Sequence, residues 1–402
     1  MNATTLRSHM PTLAADYAES TVVAIPWYVW TCVIATACIG SGLYWDISWH
    51  LTIGRDTFWT PAHLLIQFGA VLAGLSSAYL IFRTTLFGDA TAKEGSVRVL
   101  GFYGPLGAFI CAWGAGAMLI SAPFDDWWHN AYGLDVKIIS PPHQLLGLGI
   151  EGISFGAVIL IAGAMNRSYG AIRDRLSHLM VLLGGFILIN NMMGRLEFTD
   201  RVLTHSAVMY MALSIGAPMI LETYSRASGY RWARTLMATI YTAYFMLAVW
   251  IFPLFQAEPK LGPVYQRVTH MIPLGFPVLI IVPCVVMDLL WPKLNARWPD
   301  AGFGIKWLEA ALIGSVFVLL LIAVEWPFGS FLMSPLASNG FFGTRYFAYM
   351  IPANAPEVRN VFVHFEDNAV QFSRNLVLAF VFATLFTRLG IMFGNWMRKV
   401  RR

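Results

Sequence analysis

Apolar runs of about 20 residues recur along this chain, and each is long enough to cross the hydrocarbon core of a bilayer. That feature leaves few folds open. Lipid offers no water to satisfy backbone N–H and C=O groups, so a spanning segment must be a helix or part of a closed barrel. Uninterrupted apolar runs of this length favour helices. The reading is an all-α, polytopic helical membrane protein. Ten spans are expected, at about 22–44, 62–82, 98–121, 143–165, 177–194, 203–221, 233–255, 268–291, 307–327 and 374–397. Composition agrees: of 402 residues, 57% are hydrophobic and 12% charged, against about a quarter charged in a soluble domain. Residues 1–21 are mixed and polar. They lack the apolar core of a cleaved signal peptide, so the first span reads as an uncleaved anchor.

Basic residues set the expected orientation. Arg83, Lys93, Arg98, Arg167, Arg173, Arg175, Arg226, Arg231, Arg234, Lys293, Arg297 and Lys306 occupy alternate connections, and a basic tail closes the chain. The other connections hold Arg55, Lys137, Arg195, Arg201, Lys260, Arg267, Arg345 and Arg359. The positive-inside rule then places both termini in the cytoplasm and the His-bearing connections outside, for a multi-pass protein of the inner membrane. The net charge of +5 is spread over loops and does not suggest nucleic acid. Cys32, Cys38, Cys111 and Cys284 fall inside spans with no CxxC pair, which reads as packing.

Two outward connections repeat one another. In Tyr44–His63, Asp46 lies four residues before His50, and Thr60-Pro61-Ala62-His63 closes the stretch. In Phe124–His143, Asp125 lies four before His129, and Ser140-Pro141-Pro142-His143 closes it. Trp49 and Trp128 each precede the first histidine, and Gly54-Arg55-Asp56 answers Gly133-Leu134-Asp135 with one inserted residue. The series reads as an internal duplication. It fades further on, where Glu197 precedes His205, Glu258 precedes His270, and Glu325 and His364 flank the last outer loop.

Residues four apart share a helix face, so Asp46 with His50, and Asp125 with His129, offer an oxygen and a nitrogen side by side. Thr60 and Ser140 suit an N-cap, and Pro61 and Pro141 suit the first helical position. That puts His63 and His143 in a first turn, where the positive helix end favours neutral imidazole, the metal-binding form. Two histidines and a carboxylate with open positions suit a dioxygen-binding redox metal. Iron, copper and zinc all accept such donors. A single histidine at a helix start, such as His205 or His270, reads as structural. Arg55 and Asp56 read either as a mutual pair or as hydrogen-bond partners of a ligand. Trp45, Trp49, Trp59, Trp127 and Trp128 read as an interfacial belt.

The segment "WDISWHLTIGRDTFWTPAHLL" resembles the membrane subunit that carries the intramembrane metal sites in the copper membrane monooxygenases, the particulate methane and ammonia monooxygenases. In that metal-site subunit a carboxylate, a histidine four later and a histidine thirteen beyond bind metal, and Asp46, His50 and His63 stand at that spacing. The family's second intramembrane site resembles "DDWWH" with "PPH", where Asp125 replaces the usual asparagine beside His129 and His143. "VEWPFGSFLMSPLASNGFFGTRYFAYMIPANAPE" resembles the family's other membrane subunit. The glutamate of its "VE" approaches the first triad in the family, making Glu325 a candidate fourth ligand or partner of one. The resemblance covers 44–165 and 324–397. It implies a part at 22–170 like the metal-site subunit, with two metal triads. It implies a part at 171–402 like the other membrane subunit, with an outer loop at 328–372.

By resemblance, the expected activity is copper-dependent oxidation of a small substrate, such as an alkane or ammonia, with dioxygen. Iron or zinc are the alternative metals, and a quinol or other external donor would supply electrons. Asp46, His50 and His63 would then be catalytic as well as metal-binding. The resemblance also implies a homotrimer and a separate periplasmic cupredoxin-like subunit. Here two family chains are joined into one, and the opening helices of the metal-site subunit have no counterpart. The alternative expectation is a non-catalytic copper-binding membrane protein for metal acquisition, delivery or assembly.

Overall fold

The computed structural model describes residues 24–54, 59–133, 140–260, 268–275, 277–297, 302–343 and 362–401. The segment 1–21 and the pair Arg55 and Asp56 lie outside those residues. Helices run at Trp27–Thr52 (α1), Pro61–Phe87 (α2), Leu106–Tyr132 (α3), Pro141–Asn166 (α4), Gly170–Met193 (α5), Ala207–Ser214 (α6), Ala217–Ser228 (α7), Ala233–Ile251 (α8), Ile281–Arg297 (α9), Phe303–Leu332 (α10) and Ala369–Met397 (α11). Among the described residues, nine helical segments are long and apolar enough to cross a membrane, with Ala207–Ser228 counted as one. The chain is an all-α, polytopic helical protein. Its sheet, among the described residues, is one antiparallel hairpin, Val97–Val99 with Phe102–Gly104, at the start of the expected third span.

Exposure follows the lipid expectation. Phe68, Leu75, Phe82 and Leu86 of α2, Leu319 of α10, and Val370, Val377 and Val381 of α11 are exposed apolar side chains. In a soluble protein such a surface would be an aggregation hazard, whereas in lipid it is the solvated face. The interior centres on α5, which packs against α1, α4, α7 and α8 and buries Met180, Leu183, Leu188 and Met192.

The first four helices form two matched pairs, α1 with α2 and α3 with α4, joined by packing of α2 on α3. The α3–α4 crossing is close because both helices carry glycine there. A Cβ on Gly149 would sit 2.7 Å from the Gly114 carbonyl oxygen, so any side chain would push the helices apart. Each pair turns on the same device. Gly54 after α1 has φ 98° and Gly133 after α3 has φ 87°, a region that only glycine enters at little cost.

The expected eighth span at 268–291 is corrected. Residues 271–275 are not helical, and α9 begins only at Ile281. Pro273 and Pro277 each remove an amide donor, which disfavours a continuous helix there. Non-helical backbone within a bilayer must be satisfied by the protein itself. Here α1 does much of that. Leu274 N–H donates to Tyr44 Oη (2.7 Å), Ser48 Oγ donates to the Ile272 carbonyl (2.6 Å), and Ile272 N–H donates to Thr52 Oγ1 (2.9 Å). Thr242 Oγ1 donates to Val278 O at 2.8 Å. The expectation that His270 opens a span fails for the same reason; it sits in this non-helical stretch, bridged to Gln256.

Arg226 and Arg234, assigned from sequence to a loop, are instead buried in an ion-pair network. Arg234 grips both oxygens of Glu222, at 2.7 and 2.9 Å, and reaches Asp288 Oδ1 at 2.9 Å. Asp288 Oδ2 also accepts from Thr235 N–H and Oγ1. Arg226 bonds Glu222 at 3.0 Å and Glu309 on α10. The network ties α7, α8, α9 and α10 together.

Candidate metal centre

Both triads lie at one end of the bundle, where α1 and α3 end and α2 and α4 begin. Thr60 Oγ1 accepts from His63 N–H at 3.2 Å, and Ser140 Oγ accepts from His143 N–H at 3.5 Å. Pro61 and Pro141 occupy the first helical position after each cap. These caps fix the rotational setting of the first turn, and so the direction of the imidazoles at its third residue.

Asp46 and His50 project from the last turns of α1, and His63 faces them from α2. His63 Nε2 is 3.0 Å from Asp46 Oδ1, and His50 Nε2 is 3.5 Å from the same oxygen. One ligand atom from each residue lies within 4.8 Å of the others, and among the described residues no other three metal-ligating side chains come this close. Donors bound at about 2.1 Å to one ion, with tetrahedral or octahedral angles between them, stand about 3.0–3.5 Å apart. The carboxylate–imidazole separations therefore fit a shared cation.

The second set repeats the plan with a wider opening. His129 Nε2 is 3.3 Å from Asp125 Oδ2, and His143 Nε2 is 3.6 Å from Asp125 Oδ1. The two imidazoles thus address different oxygens, and the three ligand atoms do not all fall within the 4.8 Å that encloses the first set. Two details suit a cation here. Asp125 Oδ1 is buried and accepts no hydrogen bond. His129 Nδ1 lies 3.2 Å from the Gly133 carbonyl, a contact that orients the ring so that Nε2 faces Asp125. The two sets are neighbours, with His143 in electrostatic reach of Asp46.

The one ligand cluster found among the described residues does not include Glu325. That glutamate is buried on α10, and its Oε1 accepts from Leu279 N–H at 2.7 Å, just ahead of α9. The broken eighth span creates an exposed backbone donor there, and the carboxylate satisfies it. His205 is also accounted for without a metal. Its Nε2 sits 3.0 Å from the Trp326 carbonyl and 3.1 Å from Ser330 Oγ, and its ring stacks between Trp326 and Phe362. His270 Nδ1 bonds Thr269 Oγ1 at 2.7 Å.

Sequence reasoning missed the residues that anchor the end of α1, which carries Asp46 and His50, to the non-helical stretch ahead of α9. Tyr44, Ser48 and Thr52 recur at four-residue spacing along α1, which was the available signal of a polar face. Their partners lie more than 200 residues away and are invisible without the fold.

In comparisons with known proteins, the chain matches no family model, no curated protein and no solved structure.

Proposed function

We propose that this protein is a membrane-bound, copper-dependent monooxygenase or a close relative, oxidising a small substrate such as an alkane or ammonia with dioxygen. The observation that carries the reading is the convergence of Asp46, His50 and His63 from two helices on a volume sized for one cation. The spacing of those residues resembles that of the family's metal-site subunit, which is the support for copper over iron or zinc.

Copper, when bound, supplies the one-electron chemistry that dioxygen activation requires. The chain's own residues do the rest. Asp46 contributes a negative charge that offsets the cation, and His50 and His63 contribute neutral nitrogen donors. The Thr60 cap holds His63 at a helix N-terminus, where the protonated imidazole is disfavoured. The second set, Asp125, His129 and His143, holds a further or alternative ion. Residues 22–170 carry both sets in this reading. Residues 171–402 supply the wall behind them; the outer loop expected at 328–372 is shorter, since α10 continues to Leu332 and α11 starts at Ala369. The triads face the periplasm, both termini face the cytoplasm, and the membrane is the inner one. The assembly is a homotrimer with a separate cupredoxin-like subunit, and electrons come from a quinol or other external donor.

One observation favours a second reading, a non-catalytic copper-binding protein for acquisition, delivery or assembly. The ligand side chains gather at one membrane face and are partly open, from 17% exposed for Asp46 to 37% for His50. Such access suits metal exchange. Product formation separates the two. Copper-loaded membranes given a reductant, dioxygen and a small alkane or ammonia should yield oxidised product that disappears under argon and in Asp46→Ala. Full copper loading with no product from any small substrate would favour the second reading.

A further inference from the structure

At the end of the bundle opposite the triads, the first turns of α10 meet the last turns of α11. The sidedness is fixed by Asn166 at the end of α4, whose amide donates to the carbonyls of Met397 and Val400. Between the two helices lies a cavity of about 300 Å³ lined by Lys306, Arg388, Met392, Asn395, Trp396 and Lys399. Three of those six are cationic and none is acidic.

Arg388 is the informative member. Three arginines in the described residues are less than a tenth exposed: Arg226, Arg234 and Arg388. The first two are held by Glu222, Asp288 and Glu309. Arg388 is 8% exposed, and its Nε and Nη1 are enclosed with no hydrogen-bond acceptor. Its guanidinium lies 5.7 Å from the Trp307 ring centre and 6.0 Å from that of Phe303, so the side chain is positioned by α10. A buried cation without an anion is costly, and this one is aimed into a cavity that holds two more cations.

We infer that the cavity binds the phosphate group of an anionic phospholipid. Arginine presents a planar fork suited to phosphate oxygens, and lysines add point charges. Basic pockets between spans on the face with the positive loops are where such headgroups bind. The surroundings favour lipid over soluble phosphate. Trp396 and Met392 are exposed, and Leu385, Val381 and Val377 continue an apolar, exposed strip on the same face of α11 toward the bilayer interior. A headgroup seated on Arg388 would lay its acyl chains along that strip.

The test uses the delipidated full chain in detergent, with bound lipid counted by native mass spectrometry. Phosphatidylglycerol should be retained roughly tenfold over phosphatidylcholine, because an anionic headgroup gains attraction from each nearby cation. Arg388→Gln should abolish the preference. Should that variant fail to fold, the double variant Lys306→Ala with Lys399→Ala keeps the buried side chain and should weaken retention roughly fivefold. Equal retention of the two lipids by wild type, or unchanged selectivity in the folded variants, overturns the site. Full displacement of phosphatidylglycerol by millimolar inorganic phosphate overturns the lipid assignment in favour of a soluble phosphate.

Discussion

His63 and Asp46, seventeen positions apart and on different helices, bring a ring nitrogen and a carboxylate oxygen to 3.0 Å. Nothing local in either helix requires that contact. It depends on a threonine cap at one end of α2 and a polar face at the end of α1, so both supports are open to test.

Thr60→Ala removes the side chain that accepts from His63 N–H. Losing such a cap costs about 1 kcal/mol of helix stability. The first turn should fray and metal affinity should fall by about tenfold, in the range seen when residues supporting a ligand are lost. Isothermal titration with copper on wild type and variant measures this. Equal affinities would mean the cap does not position His63.

Glu325→Gln keeps an oxygen that can accept from Leu279 N–H while removing the charge. Metal content should be unchanged and stability nearly so. Glu325→Ala should leave that amide unsatisfied and cost about 1–3 kcal/mol, still with full metal content in the folded fraction. Thermal unfolding in detergent, with metal analysis of the same samples, reads both effects. Loss of copper from the glutamine variant would restore Glu325 as a ligand.

Asp125→Asn should act on the second set alone. Removing the charge from a carboxylate that both His129 and His143 approach should lower occupancy there and leave the first set filled. Quantifying bound metal per chain gives the answer: a loss confined to at most one ion is expected, and loss of all metal would show that the two sets are one site.

Arg234→Met breaks the buried network at its centre. Removing one partner of a buried ion pair costs about 3–5 kcal/mol because the other charges stay buried. A large drop in unfolding temperature is expected, with copper affinity of the remaining folded protein unchanged, since the network lies at the other end of the bundle.

Local chemistry explains which parts of the fold were legible in the sequence. The caps at Thr60 and Ser140, the prolines behind them and the four-residue spacing of Asp46 with His50 all act within one or two turns, and the structure has each where the pattern puts it. The stretch at 268–280 misled because its apolar composition suits a span, while its prolines act on backbone donors that hydropathy does not weigh. Arg226 and Arg234 read as loop charges because two of their partners, Asp288 and Glu309, are more than fifty residues away; Glu222, four residues before Arg226, was the one local signal. Glu325 was placed by resemblance near the first triad. Its actual partner exists only because the eighth span is broken.

The most direct test is metal content with electron paramagnetic resonance on wild type and His50→Ala, both purified after copper loading. The expected result is a copper signal with nitrogen hyperfine structure in wild type, and a missing ion together with a changed spectrum in the variant. The same metal at the same occupancy in both, with superimposable spectra, would contradict a centre built from Asp46, His50 and His63.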